Sequence, residues 1–207
     1  MNQAQEFDEI AQNVFLPIYP VLASQILKVY GREEGVCLDI GCGGGHLGLA
    51  LAESSRLNVT LCDINPDALE IAQVRIEQKS LQGRVRTMQG DVHALPFEGN
   101  AFDLIASRGS LWFWEKEASI REVYRVLRPG GMAYIGGGFG TSQLHEQINQ
   151  MMFERQGDEW LERKKKREKG SLPDDYVPVL ERLGIQDYEL IENESGNWLL
   201  LRKAGVL

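Results

Sequence analysis

The chain has little sulfur and little histidine: three cysteines and three histidines in 207 residues. The cysteine count is odd and no two form a C-x-x-C pair, so neither a disulfide framework nor an iron–sulfur cluster is expected. No histidine pair has finger or H-E-x-x-H spacing, and no metal ligands are assigned. Cys37 and Cys62 fall inside apolar runs, where a free thiol serves as a small hydrophobe. No apolar run approaches the ~20 residues of a spanning helix. Residues 1–9 are polar and acidic, unlike a signal peptide. Positive charge is in deficit, with 22 Lys and Arg against 30 Asp and Glu and a net charge of −8. That balance argues against a general nucleic-acid or membrane-surface binder. There is no internal repeat, linker or low-complexity tract. A cytoplasmic location and a monomer or homodimer are the expectations.

What is present is an alternation of short apolar runs and amphipathic stretches. Two helices are expected at 3–16 and 20–30, broken at Pro17 and Pro20. Strands are expected at 35–40, 57–62, 84–89, 101–106 and 132–136. Helices fall between them at 46–53, 66–78 and 115–127. Pro66 suits the first position of its helix and Asn65 the N-cap. Arg128-Pro129-Gly130-Gly131 reads as a strong breaker. Alternation of this kind implies parallel strands with right-handed crossovers. After Gly140 the pattern changes: 142–169 reads as helical and increasingly charged, and 174–183 as a short helix. Strands at 186–192 and 197–203 join through Glu194-Ser195-Gly196, a hairpin signal. The fold class is therefore α/β, a doubly wound Rossmann-like sheet of seven strands with an antiparallel C-terminal hairpin. One domain covers 1–207: an N-terminal helical cap (1–31), a cofactor-binding core (35–140), a helical acceptor-side segment (141–184) and the hairpin (185–207).

The chemistry concentrates at the ends of the first strands. Asp39-Ile40-Gly41-Cys42-Gly43-Gly44-Gly45 closes the first, and Asp63 closes the second. Glycines let backbone N–H groups approach a ligand, and a carboxylate at the next strand tip can hold ribose hydroxyls. Gly43-Gly44-Gly45-His46-Leu47-Gly48 also matches the dinucleotide G-x-G-x-x-G, with Asp63 about 20 residues on. Asp39 separates the two readings: a carboxylate under the turn would repel a pyrophosphate and suit an ammonium and a sulfonium. Plainer roles compete at each acid. Asp39 could cap the turn, Asp63 could cap the next helix with Asn65, and Asp91 could make an Asx turn.

The run 39–45 resembles the first motif of class I S-adenosylmethionine-dependent methyltransferases. Asp63 matches their ribose-binding acid. Gly90-Asp91-Val92-His93-Ala94-Leu95-Pro96-Phe97, Phe102-Asp103-Leu104-Ile105 and Val126-Leu127-Arg128-Pro129-Gly130-Gly131 are similar to later motifs, in family order over about 35–140. The chain looks most like the type 11 group, which includes ubiquinone and menaquinone methyltransferases. The resemblance implies S-adenosyl-L-methionine as cofactor, S-adenosyl-L-homocysteine as product and a small-molecule acceptor. It assigns cofactor contacts to Asp39, Gly41, Cys42, Gly43, Asp63, Ile64, Asp91, Val92, Ser107 and Arg108. The amides of residues 41–43 are expected to accommodate the methionine portion, and Asp91 with the Val92 N–H to meet the adenine. His46 could touch the methionine carboxylate, or be only a first-turn helix residue.

On the acceptor side the chain departs from its relatives. Arg108 follows Ser107 directly, and Trp112-Phe113-Trp114 come next. Arg108 could meet the methionine carboxylate, an anionic acceptor or a surface acid. The aromatics could wall a dry pocket or pack helix on sheet. Tyr19, His145 and Glu146 are unranked candidates for acceptor contact or proton removal, and no catalytic base is assigned. The basic run 163–169 lacks interleaved aromatics, which weakens a nucleic-acid role. Alternatives to a methyltransferase are an S-adenosylmethionine-binding sensor or scaffold without turnover, and an NAD-dependent oxidoreductase.

Overall fold

The computed structural model describes residues 2–168 and 173–205. The basic run falls mostly outside that description: Lys169 lies beyond it, as do the side chains of Arg163, Lys164, Lys166 and Arg167. Seven strands form one sheet: β1 (Glu34–Ile40), β2 (Arg56–Asp63), β3 (Val85–Gln89), β4 (Phe102–Arg108), β5 (Leu127–Gly137), β6 (Tyr188–Asn193) and β7 (Gly196–Arg202). Their order is β3-β2-β1-β4-β5-β7-β6. The first five are parallel, and β7 pairs antiparallel with both β5 and β6. The chain winds outward from β1 to β3, then restarts at β4 on the other side. The topological switch point, where open α/β sheets bind ligands, therefore lies between β1 and β4.

Helices α1 (Gln3–Ile10) and α2 (Ile18–Tyr30) precede the sheet. Helices α3 (His46–Glu53), α4 (Pro66–Gln78) and α5 (Lys116–Val126) cross between its parallel strands. Between β5 and β6 come α6 (Ser142–Gln156), α7 (Asp158–Glu168) and α8 (Val177–Arg182). Two apolar cores cover the sheet faces. One gathers α2, α3 and Trp198, and the other α5, α8 and Phe102. Among the described residues no single helix is long and apolar enough to cross a membrane.

Three boundaries differ from the sequence reading. The N-terminal helix changes at Ala11–Phe15 into a π turn, and the break comes at Leu16 and Pro17 alone. Pro20 is the third residue of α2, where a missing N–H costs nothing because first-turn donors have no intrahelical partner. Residues 142–169 divide into α6 and α7 at Gly157, which has φ +58°. Arg128-Pro129-Gly130-Gly131 does not make a loop. It is the start of β5, whose edge is held by Gly130 N–H donating to Lys203 C=O at 2.7 Å and by a register shift opposite Phe102. Proline is tolerated there because the pairing is irregular at that end.

Candidate cofactor and acceptor site

The turn after β1 needs glycine for its backbone. Gly41, Gly43 and Gly45 have φ of +66°, +53° and +82°, the left-handed region that side chains disfavour. A Cβ on Gly41 would also lie 2.7 Å from that of Ser110, whereas one on Gly43 would meet nothing within 4 Å. The amides of the turn are used differently from the sequence expectation. Gly41 and Cys42 N–H donate to Cys62 C=O at 2.8 and 3.1 Å, and Gly43 N–H donates to Asp63 Oδ2 at 2.8 Å. These three donors stitch β1's turn to β2's end and are not free for a ligand. The turn offers space, with its donors already satisfied.

Asp39 lies beneath that turn, 1% exposed, its Oδ2 accepting the Gly48 N–H of α3 at 2.8 Å. Burial pushes its carboxyl up to about 7; the Gly48 bond opposes the rise and the nearby Asp63 charge adds to it. The first turn of α3, a natural anion site, therefore already faces a carboxylate. A pyrophosphate would meet spent amides and a negative group, while a cation would favour ionised Asp39. Asp63 at the tip of β2 takes Gly43 N–H and, through Oδ1, Asn65 N–H at 3.0 Å. Ile64 beside it is 63% exposed, which leaves an apolar face beside the acid.

Asp91, after β3, forms the Asx turn: Oδ1 accepts His93 N–H at 2.9 Å and pairs with His93 Nδ1 at 2.6 Å. The bond from the His93 amide, with that of its ring, lowers the Asp91 carboxyl. His93 Nε2 accepts the Glu115 N–H at 2.8 Å, which makes Nδ1 the protonated nitrogen of a neutral ring. Val92 is buried next to it. The plain structural role of Asp91 is thus real, with Oδ2 left over.

The cap closes from the N-terminal side. Asp8 of α1 makes a two-pronged pair with Arg75 of α4 at 2.7 and 2.6 Å and contacts His46 Nε2 at 3.1 Å. Arg75 also donates to Gly44 C=O at 2.9 Å. A Cβ on Gly44 would collide with the Asp8 carboxylate and the Arg75 guanidinium, so a side chain there would displace the latch. Burial alone would raise the Asp8 carboxyl, but bonds from His46 and Arg75 hold it at about 2. His46 is also stacked on Tyr19, with ring centroids 4.9 Å apart. It serves as a first-turn residue that fastens the cap.

At the end of β4, Ser107 is fully buried. Its hydroxyl donates to Ile40 C=O at 2.7 Å and lies 2.6 Å from Ser110 Oγ, so it braces the glycine turn. Arg108 turns the other way. Its Cζ lies 4.8 Å from the centre of the Phe15 ring, 5.6 Å from Phe139 and 5.9 Å from Tyr19. Its Nε donates to Gly138 C=O at 3.2 Å, and burial lowers its pKa. His145 stacks on Phe139 at 4.7 Å, while Glu146 is exposed. Of the aromatic triplet, Trp114 packs against the core, whereas Trp112 and Phe113 are exposed. Gly136 and Gly138 allow close approach: a Cβ on Gly136 would collide with the β7 backbone at Asn197 and Trp198, and one on Gly138 with Ser195 and Gly196. Ser195 C=O accepts both Phe139 and Gly140 N–H at 3.1 Å.

Asp39, the glycine turn, Asp63, Asp91 and Arg108 thus end on the carboxyl edge of one sheet. Residues missed from sequence are Asp8, Phe15, Arg75 and Phe139. Asp8 and Arg75 are 67 positions apart, and only a two-pronged pair across that separation gives either a role.

Comparison with known proteins bears on the same region. A family profile described as a methyltransferase domain matches residues 37–131. Ubiquinone/menaquinone biosynthesis C-methyltransferase UbiE of Citrobacter koseri is 40% identical over 106 residues, 48% of this chain and 41% of the relative. A chloroplastic 2-methyl-6-phytyl-1,4-hydroquinone methyltransferase of Oryza sativa is 40% identical over 107 residues, 51% of this chain and 29% of the relative. The chain therefore spans less than half the length of these curated relatives. A solved structure of a candidate S-adenosyl-L-methionine-dependent methyltransferase from Methanococcus maripaludis is 39% identical and superposes with a TM-score of 0.92, covering 99% of this chain and 93% of that one. With that likeness over nearly its whole length, and with the motif order above, the chain belongs to the class I S-adenosylmethionine-dependent methyltransferase family.

Proposed function

We propose that this protein transfers the methyl group of S-adenosyl-L-methionine to a small-molecule acceptor by direct in-line displacement. The observation that carries the reading is the glycine turn with its amides spent and a buried carboxylate below it. That arrangement suits a cationic nucleoside and opposes the pyrophosphate of a dinucleotide.

When bound, the cofactor supplies a methyl group on a sulfonium, which needs no protonation to leave. Asp39 gives the turn a negative floor for the cationic portion. Asp63 retains lone pairs for the ribose hydroxyls, because each oxygen accepts only one described bond. Ile64 offers the adenine an apolar face, and Oδ2 of Asp91 with the Val92 N–H takes its polar edge. Gly41, Cys42 and Gly43 contribute the open surface, and Ser107 contributes by bracing Ile40. No side chain is assigned as a base, since positioning a nucleophile against an activated methyl supplies most of what this reaction requires. A cytoplasmic site of action and a monomeric or dimeric state belong to the same proposal.

Calorimetric titration with S-adenosylmethionine, S-adenosylhomocysteine and NADH tests the cofactor, and S-adenosylhomocysteine release over an acceptor panel tests turnover. Binding of the first two ligands alone is expected. Binding of NADH alone would overturn the reading, and tight cofactor binding without turnover on any acceptor would make the protein a sensor.

A further inference from the structure

The sheet's carboxyl edge holds one cation whose surroundings do not neutralise it. Among the described residues no carboxylate pairs with Arg108. Its neighbours are three aromatic rings and the carbonyl of Gly138. Cation–π contacts stabilise a guanidinium without neutralising it. The Tyr19 hydroxyl also bonds it, but none of these partners carries a counter-charge, and a desolvated charge without one is costly. A guanidinium kept in this state is built to receive an anion.

The position of the cage says which anion. Its walls come from the π turn (Phe15), α2 (Tyr19) and the segment after β5 (Phe139), and Tyr19 also stacks on His46 of α3. Asp39, Asp63 and Asp91 sit on the β1–β3 side. Tyr19 touches both Arg108 and His46. Phe15 and Phe139 also lie outside the segment that matches the family profile. The planar fork of Arg matches a carboxylate in two parallel hydrogen bonds, and the rings accept a flat organic body.

Resting on the methyltransferase reading, we propose that Arg108 is a specificity residue for the acceptor, and that the acceptor is a small planar organic carboxylate. The test uses the full chain saturated with S-adenosylhomocysteine. The probes are three matched pairs: 4-hydroxybenzoate and 4-hydroxybenzamide, phenylacetate and phenylacetamide, indole-3-acetate and indole-3-acetamide. In at least one pair the carboxylate is expected to bind about 10- to 100-fold tighter than the amide. Arg108→Gln should abolish that preference and Arg108→Lys should keep part of it, with S-adenosylhomocysteine affinity unchanged in both. Equal affinity for acid and amide in all three pairs would overturn the proposal. So would a parallel loss of S-adenosylhomocysteine affinity in Arg108→Gln, which would place Arg108 on the cofactor's own carboxylate. Failure of the wild-type protein to bind S-adenosylhomocysteine would instead overturn the underlying methyltransferase reading, and is read out separately.

Discussion

The two halves of the sheet's carboxyl edge are built from different materials. The β1–β3 half is made of carboxylates and backbone, and its polar groups answer one another: Asp63 with Gly43 and Asn65, Asp39 with Gly48, Asp91 with His93. The β4–β5 half is made of rings around one cation, which bonds the Gly138 carbonyl and the Tyr19 hydroxyl but no carboxylate among the described residues. In the first half the carboxylates already accept bonds from the protein's own backbone. The second is held by packing from three separate elements, so a change in any of them alters what it accepts.

The sharpest way to break this contrast is at Asp63. Asp63→Ala removes the acceptor for two backbone donors as well as the proposed ribose contact. Calorimetry is expected to show cofactor affinity falling about 100-fold, equivalent to ~2.7 kcal/mol. Retained affinity would mean that Asp63 is only the brace for the turn.

Asp39 gives the next largest effect, and a pH dependence. Its carboxyl is raised from 3.8 to about 7, so the native state prefers it protonated. The stability this confers is present below pH 3.8 and is lost as pH rises through about 7. Cofactor binding has the opposite sense, because a cation requires the ionised form. Affinity should fall by up to about ten-fold per unit below pH 7. Asp39→Asn should flatten that profile, weaken binding throughout, and raise the melting temperature at pH 8 relative to wild type. An unaltered profile in the variant would assign the titration to another group.

A smaller effect is expected at the latch. Asp8 is held at about 2 against 3.8 unfolded, so its contribution is present above pH 3.8 and lost as pH falls toward 2. Asp8→Ala leaves Arg75 and His46 without their shared partner. The expected cost, about 1–3 kcal/mol, should appear as faster amide exchange confined to α1 and the π turn. Exchange unchanged in that segment would show that packing alone seats the cap. Phe113→Ala, at a residue 69% exposed, should move the melting temperature by no more than the equivalent of about 0.5 kcal/mol. A larger shift would mean that Phe113 is packed in solution.

Much of the first half was legible in sequence. Helix α3 and the Pro66 entry of α4 come out at the expected residues, and each strand agrees to within a few positions. Local signals carried them: apolar runs closed by glycine or acid, and a proline at a helix's first position. The use of the amides at 41–43 was not legible, because a glycine turn that offers donors reads the same as one that spends them on the next strand. Nor was the early start of β5 at Leu127, because Pro129 and Gly130 look like a breaker until the register shift beside Phe102 is known. The second half was legible only as an anomaly, Arg108 followed by aromatics. Phe15 reaches Arg108 because a π turn rotates it there, and nothing in the residues Ala11–Phe15 announces that extra winding.

The β6–β7 turn has reach beyond its own edge of the sheet. Asn193 Oδ1 fixes Ser195 through its amide at 2.8 Å and its hydroxyl at 2.6 Å, and the Ser195 carbonyl fixes the backbone at Phe139. The Phe139 ring that walls Arg108 is therefore positioned in part by the neighbouring strand pair, through Asn193 and Ser195. If Arg108 reads the acceptor, as proposed, drift at 193–196 would shift the Phe139 wall of that cage while leaving Asp39, Asp63 and Asp91 in place.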